Sequence, residues 1–103
     1  MKTKEEIVAA LKAANDAKPE TVRASGCGRA YVVVGGERAE INAISAACKK
    51  MNLMFLRKAY GVSGPAIYIG YDNASGIALG KAKKFAEVLN AHGIKAYDDA
   101  VGD

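Results

Sequence analysis

Two groups of side chains in this 103-residue chain could do chemistry, and they imply different work. A nucleophile and its base would have to come from Cys27, Cys48 and His92, the only cysteines and the only histidine. One histidine excludes multi-histidine metal or catalytic clusters, and the cysteines lack metal-ligand spacing. Cys48 falls on the apolar stripe of an expected helix, where a free thiol behaves as a small hydrophobe. Nothing in the spacing of Cys27 and His92 supports a nucleophile–base pair. His92, beside Gly93, fits a helix end where it would cap the last carbonyls. No carboxylate pair stands in an apolar context, and Asp98-Asp99 read as solvated. The chain is therefore expected to be a non-enzyme that needs no cofactor and no metal.

Two glycine-containing turns come near phosphate-binding motifs. Ser75-Gly76-Ile77-Ala78-Leu79-Gly80-Lys81-Ala82 has the Gly-Lys of a P-loop, but Ser75 replaces the first glycine and Ala82 the magnesium-binding hydroxyl residue. Gly76 and Gly80 suit close approach of a helix to a sheet, with a weak anion site at the helix start as the remaining option. Gly35-Gly36 lacks the three-glycine spacing of a dinucleotide turn and serves as a strand-to-helix turn.

The other chemistry is recognition. Tyr31, Tyr60, Tyr68, Tyr71 and Tyr97 all fall in segments read as strands. Three share one frame: Ala30-Tyr31-Val32, Ile67-Tyr68-Ile69 and Ala96-Tyr97-Asp98. Side chains alternate across a strand, so aligned strands would bring these three rings to one face of a sheet. Arg57, Lys58 and Lys95 could supply charge around them. Tyr31, Tyr68, Tyr97, Arg57, Lys58 and Lys95 are thus the expected contact surface, against the plain alternative that tyrosine favours half-buried pleated positions.

The elements that must position these rings follow from periodicity. Thr3 and Glu6 form a capping box ahead of Ile7, Ala10, Leu11 and Ala14 at helical spacing, and Lys18-Pro19 ends that helix. Its apolar face is narrow, so it must dock on its own sheet or on another chain. Residues 19–28 read as a linker closing on Ser25-Gly26-Cys27-Gly28, and 29–34 as a β-branched strand. A second helix from Glu37 buries Ile41, Ile44, Cys48 and Met51. Residues 65–72 form another strand. A third helix, capped by Asn73 or Ser75, buries Ala78, Ala82, Phe85, Leu89 and His92 and stops at Gly93, and 94–97 is the last strand. Residues 53–60 are either the end of a long second helix or a strand turning through Gly61-Val62-Ser63-Gly64, which the bulky residues and the turn favour.

The strand option gives an α+β chain, a ferredoxin-like β-α-β-β-α-β sheet in the order 4-1-3-2, with helices on one face and an N-terminal helix before it. The alternative is a three-stranded β-α-β-α-β sheet. Either is a single domain over residues 1–103, with 1–18 the helix, 19–28 the linker and 29–103 the core. In the four-stranded arrangement Val32, Val34, Ile67 and Ile69 face the helices, and Tyr31 and Tyr68 lie side by side on the open face.

Half the residues are apolar, a quarter are charged and the net charge is +4. Lys49 through Lys84 carries a surplus of six positive charges, so the rest of the chain sums to minus two. That split favours a partner with negative charge. The longest apolar runs are too short for a bilayer and no signal-peptide pattern opens the chain, so a reduced cytoplasmic setting with no membrane partner is expected.

The paired central rings resemble the RNA-recognition motif, whose central strands display aromatic residues for base stacking. That family's motif asks for a basic residue first and aromatics at its third, fifth and eighth positions. Read from Gly64, this chain places Tyr68 and Tyr71 at the fifth and eighth, with Ala66 at the third. The run Arg57-Lys58-Ala59-Tyr60-Gly61 through Ala66-Ile67-Tyr68-Ile69-Gly70-Tyr71-Asp72-Asn73 resembles short proteins of bacteriophages and prophages, over the second half of the chain. That resemblance implies an accessory or counter-defence protein of the anti-CRISPR type. Such a protein is small and cofactor-free and acts by occupying a surface on a host protein or ribonucleoprotein complex. The expected function is inhibition or modulation of such a complex by protein contacts. A direct single-stranded RNA or DNA binder using the same face is the second expectation, and a self-associating module whose sheets or first helices pair is the third.

Overall fold

The computed structural model describes residues 2–19, 21, 27–73 and 76–102, with the backbone alone for Cys27 and Asn73. Most of the expected 19–28 linker, its Ser25-Gly26 turn and the Ser75 cap lie outside the described residues. The order of elements is α1 (Lys4–Asp16), β1 (Cys27–Val34), α2 (Arg38–Lys50), β2 (Met54–Leu56), β3 (Ala66–Asn73), α3 (Ile77–Ala91) and β4 (Ala96–Gly102). This is an α+β chain with one four-stranded sheet, antiparallel at each pairing, in the order β2-β3-β1-β4. Counted from the β4 edge, the same order is 4-1-3-2. Among the described residues no helix is long and apolar enough to cross a membrane.

The helix ends follow from local chemistry. Thr3 and Glu6 close a reciprocal capping box at α1: the Thr3 amide donates to Glu6 Oε1 at 2.9 Å, and the Glu6 amide to Thr3 Oγ1 at 3.1 Å. The backbone bond from Thr3, then the bond to its side chain, holds the Glu6 carboxyl below its ordinary value. Met51 caps α2, and Asn52 follows with φ 59°, so the Leu53 amide reaches back to the Cys48 carbonyl at 2.8 Å. Gly93, at φ 82°, does the same for α3, and the Ile94 amide reaches Leu89 at 2.9 Å. Both are Schellman terminations, in which a left-handed residue lets two amides satisfy the last free carbonyls. The stop at Asn52 decides the ambiguous segment. Residues 54–56 pair with β3 as a strand, shorter than expected, and Phe55 turns into the core.

All three helices pack on one face of the sheet. Val32, Val34 and Ile67 are buried there with Ile7, Leu11, Ile44, Phe85 and Leu89, and Ile69 packs against them. α1 contacts both α2 and α3, so it sits between them and its apolar stripe belongs to the common core. Its docking surface is thus this chain's own helices. His92 stands at the C-cap of α3, the helix end expected of it, but it is exposed rather than part of the buried stripe, one turn beyond the buried Leu89.

β4 is also longer than expected and takes in Asp98 and Asp99, both half-buried rather than solvated. As an edge strand it has outward backbone groups that could template aggregation. Two side chains cover part of that edge. Asn90 of α3 donates to the Ala96 carbonyl at 2.7 Å and accepts from the Ala96 amide at 3.2 Å, while Asp99 accepts from the Ala100 amide at 2.9 Å.

Candidate functional site: a sheet face crossed by a strap

The face away from the helices is not open. The connection from β2 to β3, residues 57–65, crosses it as a strap. Ala59 and Val62 pack on Tyr31, Val33 and Ala66. The Val62 amide donates to the Ala59 carbonyl at 3.1 Å, which turns the chain at the tip. There Gly61 has φ 77° and lies so close to Val101 that an added Cβ would come within 3.1 Å of its methyl group. The returning limb bonds Ser63 Oγ to the Tyr97 hydroxyl and runs over Val33 at Gly64. The strap therefore reaches from the β2 edge to β4, a span that a tight four-residue turn would not have made.

This geometry rearranges the expected contact surface. Tyr31 is only 5% exposed, so it is a core residue of the second face and not a contact ring. Its ring meets Tyr68 edge-on, 5.5 Å between centroids at 63°, the preferred arrangement for an aromatic pair. Tyr68 is half-buried. Tyr97, 51% exposed, stands on β4 at the strap's return limb. Arg57 and Lys58 are exposed on the strap rather than on a strand. Lys95 precedes β4 and lines a shallow cleft with Gly35, Gly36, Glu37, Glu40 and Gly93, away from the ring pair. Tyr60, expected in a strand, sits at the strap tip and is 89% exposed.

What remains uncovered is a corner built by register. Met54 of β2 lies opposite Tyr68, and Tyr71 lies opposite Arg29. Strict alternation would put Tyr68 and Tyr71 on opposite faces. The ladder slips between Ala30 and Tyr31, where Ala30 faces Gly70 but Tyr31 faces Tyr68, leaving Ile69 as an extra residue. Such a bulge resets the alternation. Ile69 and Gly70 both turn to the helices, and Tyr71 comes round beside Tyr68. Met54 is 57% exposed, Tyr71 51%, and Arg29 is exposed. Tyr71, Met54 and Arg29 are the site residues that pattern reasoning missed. The glycine beside Ile69 in Ile69-Gly70-Tyr71 was the one sequence signal for the bulge.

The other chemical candidates are placed as follows. The P-loop-like turn opens α3, but two of its amides are already taken: Asp72, 3% exposed, accepts from the Gly76 amide at 2.8 Å and the Leu79 amide at 3.2 Å. The helix start expected to be capped by Asn73 or Ser75, or to seat an anion, holds the chain's own carboxylate. The Cys27 side chain lies outside the described residues. Cys48 is buried against α1 and the sheet, and desolvation pushes its thiol up to about 12. In a Cys27→Ser background, Cys48 is expected to resist a thiol-disulfide reagent at pH 8 until denaturant is added. Because the folded value is raised, its stabilising contribution is complete below the ordinary thiol range and fades as pH climbs toward 12. Prompt labelling of the native protein would contradict this burial.

No family model, curated protein or solved structure matches the chain. The class that the fold and site define is a small α+β domain presenting an aromatic, methionine-containing and cationic corner on a strapped sheet.

Proposed function

We propose that this chain is a non-enzymatic binding protein that acts by protein contact, occupying a surface on a component of a nucleic-acid-handling complex. We further propose that its architecture is ferredoxin-like, with α1 added between the two helices of a β-α-β-β-α-β unit; the 4-1-3-2 order and the single helical face support this. The observation that carries the functional reading is the Met54–Tyr68–Tyr71–Arg29 corner, with Tyr60 projecting from the strap. Tyrosine, methionine and arginine are the residues enriched at protein interfaces, and rigid rings beside a guanidinium suit a desolvated hot spot. Base stacking on the central strands is weakened as an account, because Tyr31 lies under the strap and one ring of the platform is lost.

The test is affinity capture from bacterial lysate with mass spectrometry, run in parallel on the wild type and on Tyr71→Ala and Met54→Ala. Truncating a hot-spot residue costs about 2 kcal/mol or more, roughly 30-fold in affinity, so the captured subunit should drop out of both variants. A Lys2→Ala variant, changed at the far end of the fold, should retain it. Equal recovery by all four proteins overturns the assignment of this corner. Light scattering that shows a dimer broken by Tyr71→Ala would assign the corner to self-association instead.

A further inference from the structure

We infer that the end of the molecule where α1 and α2 finish and α3 begins binds the phosphate backbone of a nucleic acid. This goes beyond the protein-contact reading and does not depend on it.

The placement follows from topology. α2 starts after the finish of β1, so its C-terminus returns to the level where β1 begins. α3 starts after the finish of β3, which pairs with the beginning of β1 through Cys27↔Asn73. The start of α1 lies at the opposite end, where Lys2 and Glu6 line a cleft with Glu40 and Gly93, so α1 also finishes at this level. Lys12 of α1, Lys49 and Lys50 of α2, Lys81 and Lys83 of α3 and Arg29 of β1 therefore lie in the half of the molecule toward that pole, Lys50 also lining a groove with Lys4 and Val8 of α1. All are exposed except the half-buried Lys81. The described acids there are few. Asp16 is exposed, Asp98 and Asp99 are half-buried on β4 opposite Val32 and Tyr31, Glu87 is bonded to Lys84 at 3.1 Å, and Asp72 is buried on the α3 amides. The opposite pole mixes Glu6, Glu37 and Glu40 with Lys2 and Lys95. The surplus positive charge seen between Lys49 and Lys84 is thus largely gathered at one end.

Helix stability accounts for only part of this. Lys49 and Lys50 complement the negative end of α2, but Lys81 and Lys83 lie near the positive end of α3 and gain nothing from its dipole. Three helices side by side, spaced 8–10 Å apart, set α2 and α3 about 20 Å apart. That span matches about six steps of a duplex strand at 3.4 Å each. A polyanion of regular charge spacing answers this layout better than a compact anion, since no single point gathers the lysines.

The experiment is fluorescence anisotropy of the full chain with a labelled single-stranded oligonucleotide and with a duplex of the same sequence, across a salt series. Engagement of five phosphates predicts a log–log salt slope of about −4.5 on duplex. The triple variant Lys49→Gln, Lys50→Gln, Lys83→Gln should bind at least 10-fold more weakly in low salt, its slope reduced by about 3. Lys2→Gln with Lys95→Gln at the opposite pole should leave binding unchanged. Preference for one oligonucleotide identifies which backbone is read. Absence of binding to either at low salt, equal losses in both charge variants, or binding only to phosphatidylserine vesicles each overturns the inference. Unchanged capture of the protein partner by the triple variant keeps this result separate from the corner's role.

Discussion

Leu11→Ala is expected to lower unfolding stability by about 3–5 kcal/mol, the range for a fully buried leucine whose site cannot collapse. Leu11 is 0% exposed and shares its buried stripe with Ile7, Ala10 and Ala14. The effect should be this large because of where α1 sits. It contacts both α2 and α3, so the cavity opens in the middle of the helical layer rather than at its margin. With a typical total of about 5–15 kcal/mol for a domain, that loss removes a large part of the margin. The transition midpoint should fall by at least about 10 °C at roughly 4–8 °C per kcal/mol. Urea denaturation followed by circular dichroism measures it, with the exposed neighbour Lys12→Ala expected to stay within about 0.5 kcal/mol of wild type. A loss below about 1 kcal/mol for Leu11→Ala would mean that the core closes without α1, which would then be an appendage. The same argument makes removal of residues 1–18 incompatible with a folded remainder, since Ile44, Cys48 and Phe85 belong to the same cluster.

The parts of this fold that could be read from the sequence are those fixed within one turn or one strand. The Thr3–Glu6 box, the stop at Gly93 and the inward parity of Val32, Val34 and Ile67 are each determined by residues three or fewer positions apart. What escaped depends on partners distant in sequence. The face taken by Tyr71 was set by a slip in the β1–β3 ladder, and a bulge on one strand is defined only against the other. Tyr31 has the same local frame as Tyr68 and Tyr97, yet its burial depends on Ala59 and Val62 arriving from the strap. Nothing in Gly61-Val62-Ser63-Gly64 distinguishes a tight hairpin from the far end of a longer crossing. That difference rests on contacts with Val101 and Tyr97, more than thirty residues away. Of the expected contact residues, Tyr68 lies at the uncovered corner opposite Met54, while Arg57 and Lys58 are exposed on the strap. Tyr31, Tyr97 and Lys95 are drawn off the corner by the strap, the far strand and the loop before β4.

Asp72→Ala should cost about 3 kcal/mol or more, because a charged acceptor contributes about 1.5–3 kcal/mol to each hydrogen bond and here serves two amides. Gly76 is the N-cap of α3 and has no side chain to take over from the lost carboxylate. Asp72→Asn keeps an acceptor oxygen and loses the charge at the positive helix end, so it should cost less than the alanine variant. Thermal and urea unfolding of both variants ranks them. The alanine variant also permits a sharper comparison. With the native anion gone, the Gly76 and Leu79 amides form an open anion seat, and inorganic phosphate should raise the variant's midpoint. Wild type, its seat filled, should gain nothing beyond the general salting effect of phosphate. Equal phosphate responses in wild type and Asp72→Ala would show that these amides are not what Asp72 satisfies. The near-miss P-loop would then have to be reconsidered as a binding turn rather than as a helix start stabilised by its own strand.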